Sequence, residues 1–241
     1  MQSNFYVGLS GQMTIERRLS TIAQNIANMN TAGYRAEGVT FDTVLSQTGD
    51  TPVAFSVHGA DYIDRSGGER LKTDNPLDVA VQGDAWLAIK TPQGVVYTRD
   101  GRMKMTPTGD LRTVNDFPVL DAGGAGLVLD PAAGPPTISA DGMLTQNGAQ
   151  VGAIGLFGID PSAKLTRAEN SGVIPDTAAT PILDFTNAGV VQGFVEGSNV
   201  NPVLELTKLI GVQHALDGVT QANTTADATL QEAIKALGSN P

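Results

Sequence analysis

The sequence predicts an α+β fold, with a helix at each end and an antiparallel β-rich stretch between them. Three observations carry this expectation. Apolar residues recur at three- and four-residue spacing near both termini. Asp-Gly and Asn-Gly pairs separate short apolar runs through the middle. The 241 residues also include 28 glycines and 13 prolines, enough turns to cut the middle into many short strands.

Near the N-terminus, Ile15, Leu19, Ile22, Ile26 and Met29 form one apolar seam. This helix is expected to begin near Ser3 or Asn4, both good N-cap residues, and to be weakened at Gly8 and Gly11. Asn30–Gly33 is the expected C-cap. An earlier apolar phase, Tyr6, Leu9 and Met13, does not match the seam. The C-terminal helix has a firmer start, with Asn201 as N-cap and Pro202 at the first helical position. Its seam runs through Leu209, Val212, Leu216, Val219, Asn223, Ala226, Leu230, Ala233 and Leu237. Gly218 and the Thr224–Thr225 pair are the places where this helix is expected to break.

Seams this regular point to packing between helices in an assembly, as in a coiled coil, and Asn223 holds the polar position that sets register in such a seam. Twelve residues are therefore the candidate subunit-interaction set: Ile15, Leu19, Ile22, Ile26, Met29, Leu209, Val212, Leu216, Val219, Asn223, Leu230 and Leu237. The apolar area of the two seams does not offset the entropy of ordering both ends, so the helices are expected to depend on neighbours.

Between the helices, Leu77–Gln82 alternates, with Leu77, Val79 and Val81 on one face. Trp86–Lys90, Val95–Arg99, Arg102–Met105, Leu111–Val114, Pro118–Leu120 and Met143–Gln146 follow as strands. Turn signals at Pro92–Gly94, Asp100–Gly101, Pro107–Asp110, Asn115–Asp116, Asp141–Gly142 and Asn147–Gly148 punctuate them. Ala122–Pro136 reads as a loop rich in glycine and proline. The expected division is a helical assembly domain at 1–40 and 197–241, an extended connector at 41–75 and a β-rich domain at 76–196.

Charge follows this division. The net −10 is concentrated in residues 41–196, which carry −9, while residues 1–40 carry +1 and 197–241 carry −2. Near-neutral ends suit packing, and an acidic middle suits solvation. Nucleic acid is disfavoured, because phosphate binding needs a basic patch. No run approaches the ~20 apolar residues of a membrane span, so direct membrane insertion is not expected. Met1–Gly8 lacks the basic region of a secretory signal, and composition alone suggests a cytoplasmic protein.

Catalytic chemistry finds little support. With no cysteine, thiolate catalysis, disulfides and Cys-ligated metal are excluded. The two histidines, His58 and His214, stand far apart in the sequence and neither lies in a cluster of ligands, so neither catalysis nor zinc is expected. Asp100, Asp110, Asp116 and Asp141 fall in turns, where Asp accepts backbone N–H bonds. Ala122–Leu127 lacks the Lys-Ser/Thr of a phosphate loop. Trp86 reads as a core residue. No cofactor and no enzymatic activity are expected. The competing class is a secreted β-domain binding module or hydrolase with oligomerising helical ends.

Three separated motifs carry a resemblance. Leu9-Ser-Gly-Gln-Met13, Arg17-Arg-Leu19, Ile22-Ala-Gln-Asn-Ile-Ala-Asn28 and Asn30-Thr-Ala-Gly-Tyr-Arg35 form the first. Asn75-Pro-Leu-Asp-Val-Ala-Val-Gln-Gly83 and Tyr97-Thr-Arg-Asp-Gly101 form the second, and Gly193-Phe-Val-Glu-Gly-Ser-Asn-Val200 the third. In this order they resemble the bacterial flagellar rod and hook proteins. Trp86 after Gly83-Asp-Ala85, the Gly197–Pro202 run and the chain length are similar to proximal-rod members, the distal-rod protein being the alternative. Val212-Gln-His-Ala-Leu216 departs from the family pattern of an arginine, then alanine and an aromatic.

The resemblance implies a structural subunit whose terminal helices pair into a core domain with the β-domain outside. Implied partners are neighbouring proximal-rod subunits, the distal-rod protein, the P ring around the rod and the flagellar type III export apparatus. It also implies export into the periplasmic basal body without a cleaved signal, replacing the cytoplasmic expectation.

Overall fold

Asn201 opens the longer helix as its N-cap: its Oδ1 accepts from the Leu204 N–H at 3.1 Å, and Pro202 takes the first helical position. In the computed structural model, which describes residues 2–46 and 53–238, this helix is the second of two. The chain is α+β, with mostly antiparallel sheet. The first helix, α1, spans Gln2–Ala27, and the second, α2, spans Pro202–Gly238.

Both helices correct the sequence expectations at particular residues. Ser3 and Asn4 lie inside α1 rather than capping it. The helix also ends at Ala27, before Asn30, so Met29 falls in the turns that follow. Gly33 does take a left-handed conformation, φ 67°, but as part of those turns. No break occurs in α2 at Gly218 or at Thr224–Thr225. The hydroxyls of Thr207, Thr220, Thr224, Thr225 and Thr229 each donate to the carbonyl four residues back at 2.8–2.9 Å, so their polar groups are satisfied within the helix.

Two compact units emerge. One comprises residues 1–27, 37–61 and 201–241; the other comprises 28–36 and 62–200. In the first unit, α1 and α2 pack together, joined by strands β1 (Glu37–Ser46) and β2 (Val53–Ile63), which form a two-stranded sheet. Two long strands thus occupy the N-terminal part of the segment expected as an extended connector.

The second unit is built on short strands. After β3 (Arg70–Lys72) and β4 (Val79–Gln82), β5 (Trp86–Thr91) and β6 (Gly94–Thr98) form a hairpin closed at Thr91↔Gly94. This hairpin is the centre of a six-stranded sheet, flanked by 173–175 and 165–167 on one side and 156–158 and 180–181 on the other. Along β5, Leu87 and Ile89 enter the main core, while Trp86 and Ala88 join two smaller clusters, so both faces are covered. The main core gathers Val79, Val81, Val96, Leu111, Val119, Leu144 and Leu156. The expected face packs there, Val79 and Val81 from β4 and the partly buried Leu77 from just ahead of it, and Ala80 is buried as well.

Turn chemistry sets several of these pairings. Asn147 (φ 50°) and Gly148 (φ 78°) make the two-residue turn between 143–146 and 149–153, where Gln146 pairs with Ala149. Asp100–Gly101 behaves differently. The chain there leaves β6 for a separate two-stranded sheet of β7 (Met103–Met105) and β8 (Leu111–Thr113), so the pair marks a crossing and not a hairpin. Asp100 is buried and accepts from Arg102 Nη2 at 2.7 Å. Pro118–Leu120 contributes isolated bridges in place of a full strand.

Gly101 is glycine for lack of space: a Cβ there lies 1.9 Å from the Val79 carbonyl oxygen. The Gly101→Ala variant is expected to lose about 1–3 kcal/mol by overpacking. Gly126→Ala, with nothing within 4 Å and no positive φ, should stay within about 0.5 kcal/mol of the parent. Urea midpoints of the two variants check this, and equal midpoints contradict it.

Candidate assembly surface

The register of the helix pair follows from two contacts. Asn25 Nδ2 donates to Glu205 Oε2 at 3.3 Å near one end. Toward the other end, a Cβ on Gly8 would meet Asn223 Oδ1 at 2.4 Å. The helices are therefore antiparallel. On this register Ile15, Leu19 and Ile22 come level with Leu216, Val212 and Leu209. Ile22 and Val212 are buried; Ile15, Leu19, Ile26, Leu209, Leu216 and Val219 are half-buried.

Gly8, which sequence reasoning treated as a weakness of α1, is where the side chain of Asn223 is received. Asn223 is half-buried there, a polar group at one defined level of an apolar seam. Further along, Asn25 also exchanges bonds with the backbone of Glu37, accepting from its N–H and donating to its carbonyl, both at 2.9 Å. Glu205 is held in turn by Lys208 Nζ at 2.6 Å. Sequence reasoning passed over Asn25 and Glu205, although both sit at seam spacing and carry the polar end of the pair.

The remaining candidate residues lie elsewhere. Met29 is half-buried beyond the end of α1. The side chains of Ala226 and Leu230 lie outside the described residues. Leu237 is 83% exposed and Ile234, its neighbour one turn back, 69%. Tyr6, Leu9 and Met13, the phase of α1 that missed the seam, are exposed, as are Val203, Leu206 and Ile210 on α2.

In the β-rich unit, the Asn30–Arg35 motif and the Gly193–Val200 motif meet at a buried ionic cluster. Arg35 Nη2 lies 2.6 Å from Glu196 Oε1, and Arg99 Nη1 lies 3.3 Å from Oε2 of the same carboxylate. The Gly33 N–H donates to the Glu196 carbonyl at 2.8 Å, and the Gly68 N–H to its Oε1 at 3.0 Å. Both guanidiniums also face Trp86, at 5.9 and 5.3 Å from the ring centroid. Arg35 donates further to the Ser66 carbonyl and Arg99 to the Val81 carbonyl.

Two cations thus share one carboxylate away from water. Burial lowers the pKa of Arg99 to about 10 against the opposing pull of Glu196, and burial likewise lowers that of Arg35. Trp86 is fully buried, as expected of a core residue, and forms the floor of this cluster.

Among the described residues no group of three His, Asp or Glu is placed to hold a metal. His58 pairs with Asp61 at 2.9 Å on β2, and His214 is exposed on α2. Among the described residues no helix is long and apolar enough to cross a membrane.

Comparison with known proteins places the chain in context. Residues 5–35 match the family model described as flagella basal body rod protein, residues 80–146 the flagellar hook protein FlgE/F/G D1 domain, and residues 191–236 the flagellar basal body rod FlgEFG protein C-terminal. The flagellar basal-body rod protein FlgF of Mesorhizobium japonicum is 50% identical, covering 99% of both chains. That of Rhizobium meliloti is 44% identical over 99% of both. The flagellar basal-body rod protein FlgG of Bacillus subtilis is 30% identical, covering 97% of this chain and 98% of its own.

Removing the shared carboxylate with Glu196→Ala leaves two buried guanidiniums unpaired and should cost about 3–5 kcal/mol in the β-rich unit. In the helix pair, Gly8→Ala should destabilise by contact with Asn223, and Asn223→Ala should restore stability in the Gly8→Ala background. Thermal unfolding of the four chains of this cycle tests the contact; strict additivity would contradict it.

Proposed function

Because the chain belongs to the flagellar basal-body rod protein family and is a structural subunit of the rod and not an enzyme, we propose that it occupies the proximal rod, as its FlgF-named relatives would, and assembles axially through its terminal helices. The observation that carries the proximal assignment is full-length identity of 50% and 44% to proteins named FlgF, against 30% to one named FlgG.

In this reading the helical seams act as a coiled-coil-like element. Ile15, Leu19, Ile22, Ile26, Leu209, Val212, Leu216 and Val219 hold α1 and α2 together, with Asn223 setting their register against Gly8. Met29, Leu230 and Leu237 complete the proposed subunit-interaction set. The helical unit, 1–27 with 37–61 and 201–241 in place of the expected 1–40 with 197–241, is what neighbouring rod subunits and the distal-rod protein would pack upon. Axial stacking is a heterologous contact that does not close, and torque passes through it as many small apolar contacts. The subunit works in the periplasmic part of the basal body inside the P ring, reached through the flagellar type III export apparatus. Weakly stable ends suit that passage, since a chain threaded through a narrow channel must first lose its helices.

Two experiments test this. Leu209→Asp with Leu216→Asp, replacing the gene in its own bacterium, should abolish rod incorporation and motility while the β-rich unit stays folded; normal swimming would refute the seam assignment. In the dilute monomer, amides of α1 and α2 should exchange at least about a hundredfold faster than those of β5 and β6. Equal protection of helices and strands would refute the dependence on neighbours.

A further inference from the structure

The antiparallel register leaves the last turns of α2 beyond the first described residue of α1. With Asn223 level with Gly8, Gln2 stands level with position 229, and Ile234 and Leu237 lie farther on. Both are largely exposed, and their spacing of three puts them on one side of the helix as adjacent apolar knobs. Glu232 precedes Ile234 and Lys235 lies between the two, so residues 231–238 carry no net side-chain charge.

A matching recess exists on the other side of α1. Between α1 and the β1–β2 sheet runs a groove of about 710 Å3, lined by Met13, Thr14, Arg17, Phe41, Val57 and His58. Its wall is held to the helix by polar contacts: the Thr14 hydroxyl donates to Ser56 Oγ at 3.0 Å, and Arg17 pairs with Asp61 at 2.8 Å. His58 approaches the same carboxylate at 2.9 Å. Burial would raise the pKa of Asp61, but the hydrogen bonds from His58 and Arg17 hold it below the ordinary value. Met13 opens the floor to solvent, and the exposed Leu9 and Tyr6 continue the apolar track along α1. Residues 1–15 carry no charge, and the groove rim carries both signs in Glu16 and Arg17, against Lys235 and Glu232 on the knobs.

The chain cannot fill its own groove. Met13 is level with Gly218, 16 residues before Ile234, a separation of about 24 Å along the helix axis. We propose that the groove between α1 and the β1–β2 sheet receives the last turns of α2 from a second copy of this chain, with Ile234 and Leu237 seated over Met13, Phe41 and Val57. This rests on the rod-subunit reading and names one of its contacts. Knob and recess lie at different places on one chain, so the contact is head-to-tail and extends without closing. It also gives a use to the apolar phase of α1 that faces away from α2. A partner drawn from the acidic middle of the chain would set charge against the uncharged track; the neutral end of α2 does not.

The absence of cysteine from the chain makes the test direct. Val57→Cys and Ile234→Cys in one full-length chain, oxidised mildly in isolated basal bodies, should yield a ladder of dimers and higher species. The ladder should be at least tenfold more abundant than any product of either single variant. Met13→Cys with Leu237→Cys is a second pair, both exposed, and should give the same ladder. A disulfide confined to monomers, or no ladder from either pair, overturns the contact. A double variant that swims normally yet gives no ladder overturns this contact alone and leaves the rod assignment standing. Loss of rod incorporation by the unmodified chain in its own host would overturn the rod assignment itself.

Discussion

Glu196 is the residue on which the β-rich unit depends. Its two carboxylate oxygens hold Arg35 and Arg99, and its backbone carbonyl accepts from Gly33. One short segment just ahead of α2 thereby ties the turns after α1 to Arg99, the residue that follows strand β6. A buried carboxylate with a single cation would be nearly balanced; here a second guanidinium leaves excess positive charge in a place with little water. The excess is met by backbone carbonyls and by the face of Trp86, which needs both arginines at fixed positions. Arg35 further gives its own carbonyl to Arg167, whose guanidinium stacks 4.4 Å over Tyr34. Each cation is thus fixed by partners from a different part of the chain. Loosening one of them changes the electrostatics of the rest.

The same logic governs the helical unit in milder form. Asn25 and Glu205 are buried polar residues in an apolar seam, and each is answered by a partner from another segment. Apolar seam residues set how strongly the helices attract. Two polar levels, Asn25 with Glu205 and Asn223 beside Gly8, interrupt the seam toward its opposite ends. An apolar seam alone would accept shifts of one heptad at small cost. Once the seams are turned toward each other, the apolar residues left exposed include Tyr6, Leu9 and Met13, which broke the periodic pattern of α1.

Local chemistry was legible in the sequence and long-range chemistry was not. Asn201 with Pro202 marked the start of α2, and Asn147–Gly148 marked a hairpin, because each signal acts within four residues. Trp86 was readable as core from its alternating strand. Asp100–Gly101 misled, since the same dipeptide serves a turn or a crossing, and the choice is made by Arg102 and by the closeness of the Val79 carbonyl. The expected break in α2 did not occur because threonine hydroxyls bond within the helix, an outcome that propensity alone does not encode. Glu196, Arg35 and Arg99 were visible as members of family motifs, yet nothing local says that they meet. Gly8 was misjudged for the related reason that its value lies in a side chain 215 residues away.

The threonines of α2 have a mechanical consequence. A hydroxyl bonded to the carbonyl four residues back tends to curve a helix without costing it a backbone bond. Five such residues, with glycines at 211 and 218, are distributed over some 56 Å of helix. Bending is then shared along the length and not concentrated in one kink. A helix without a single joint has no one point at which a bend must gather, so it can follow slots of slightly different curvature along its whole length.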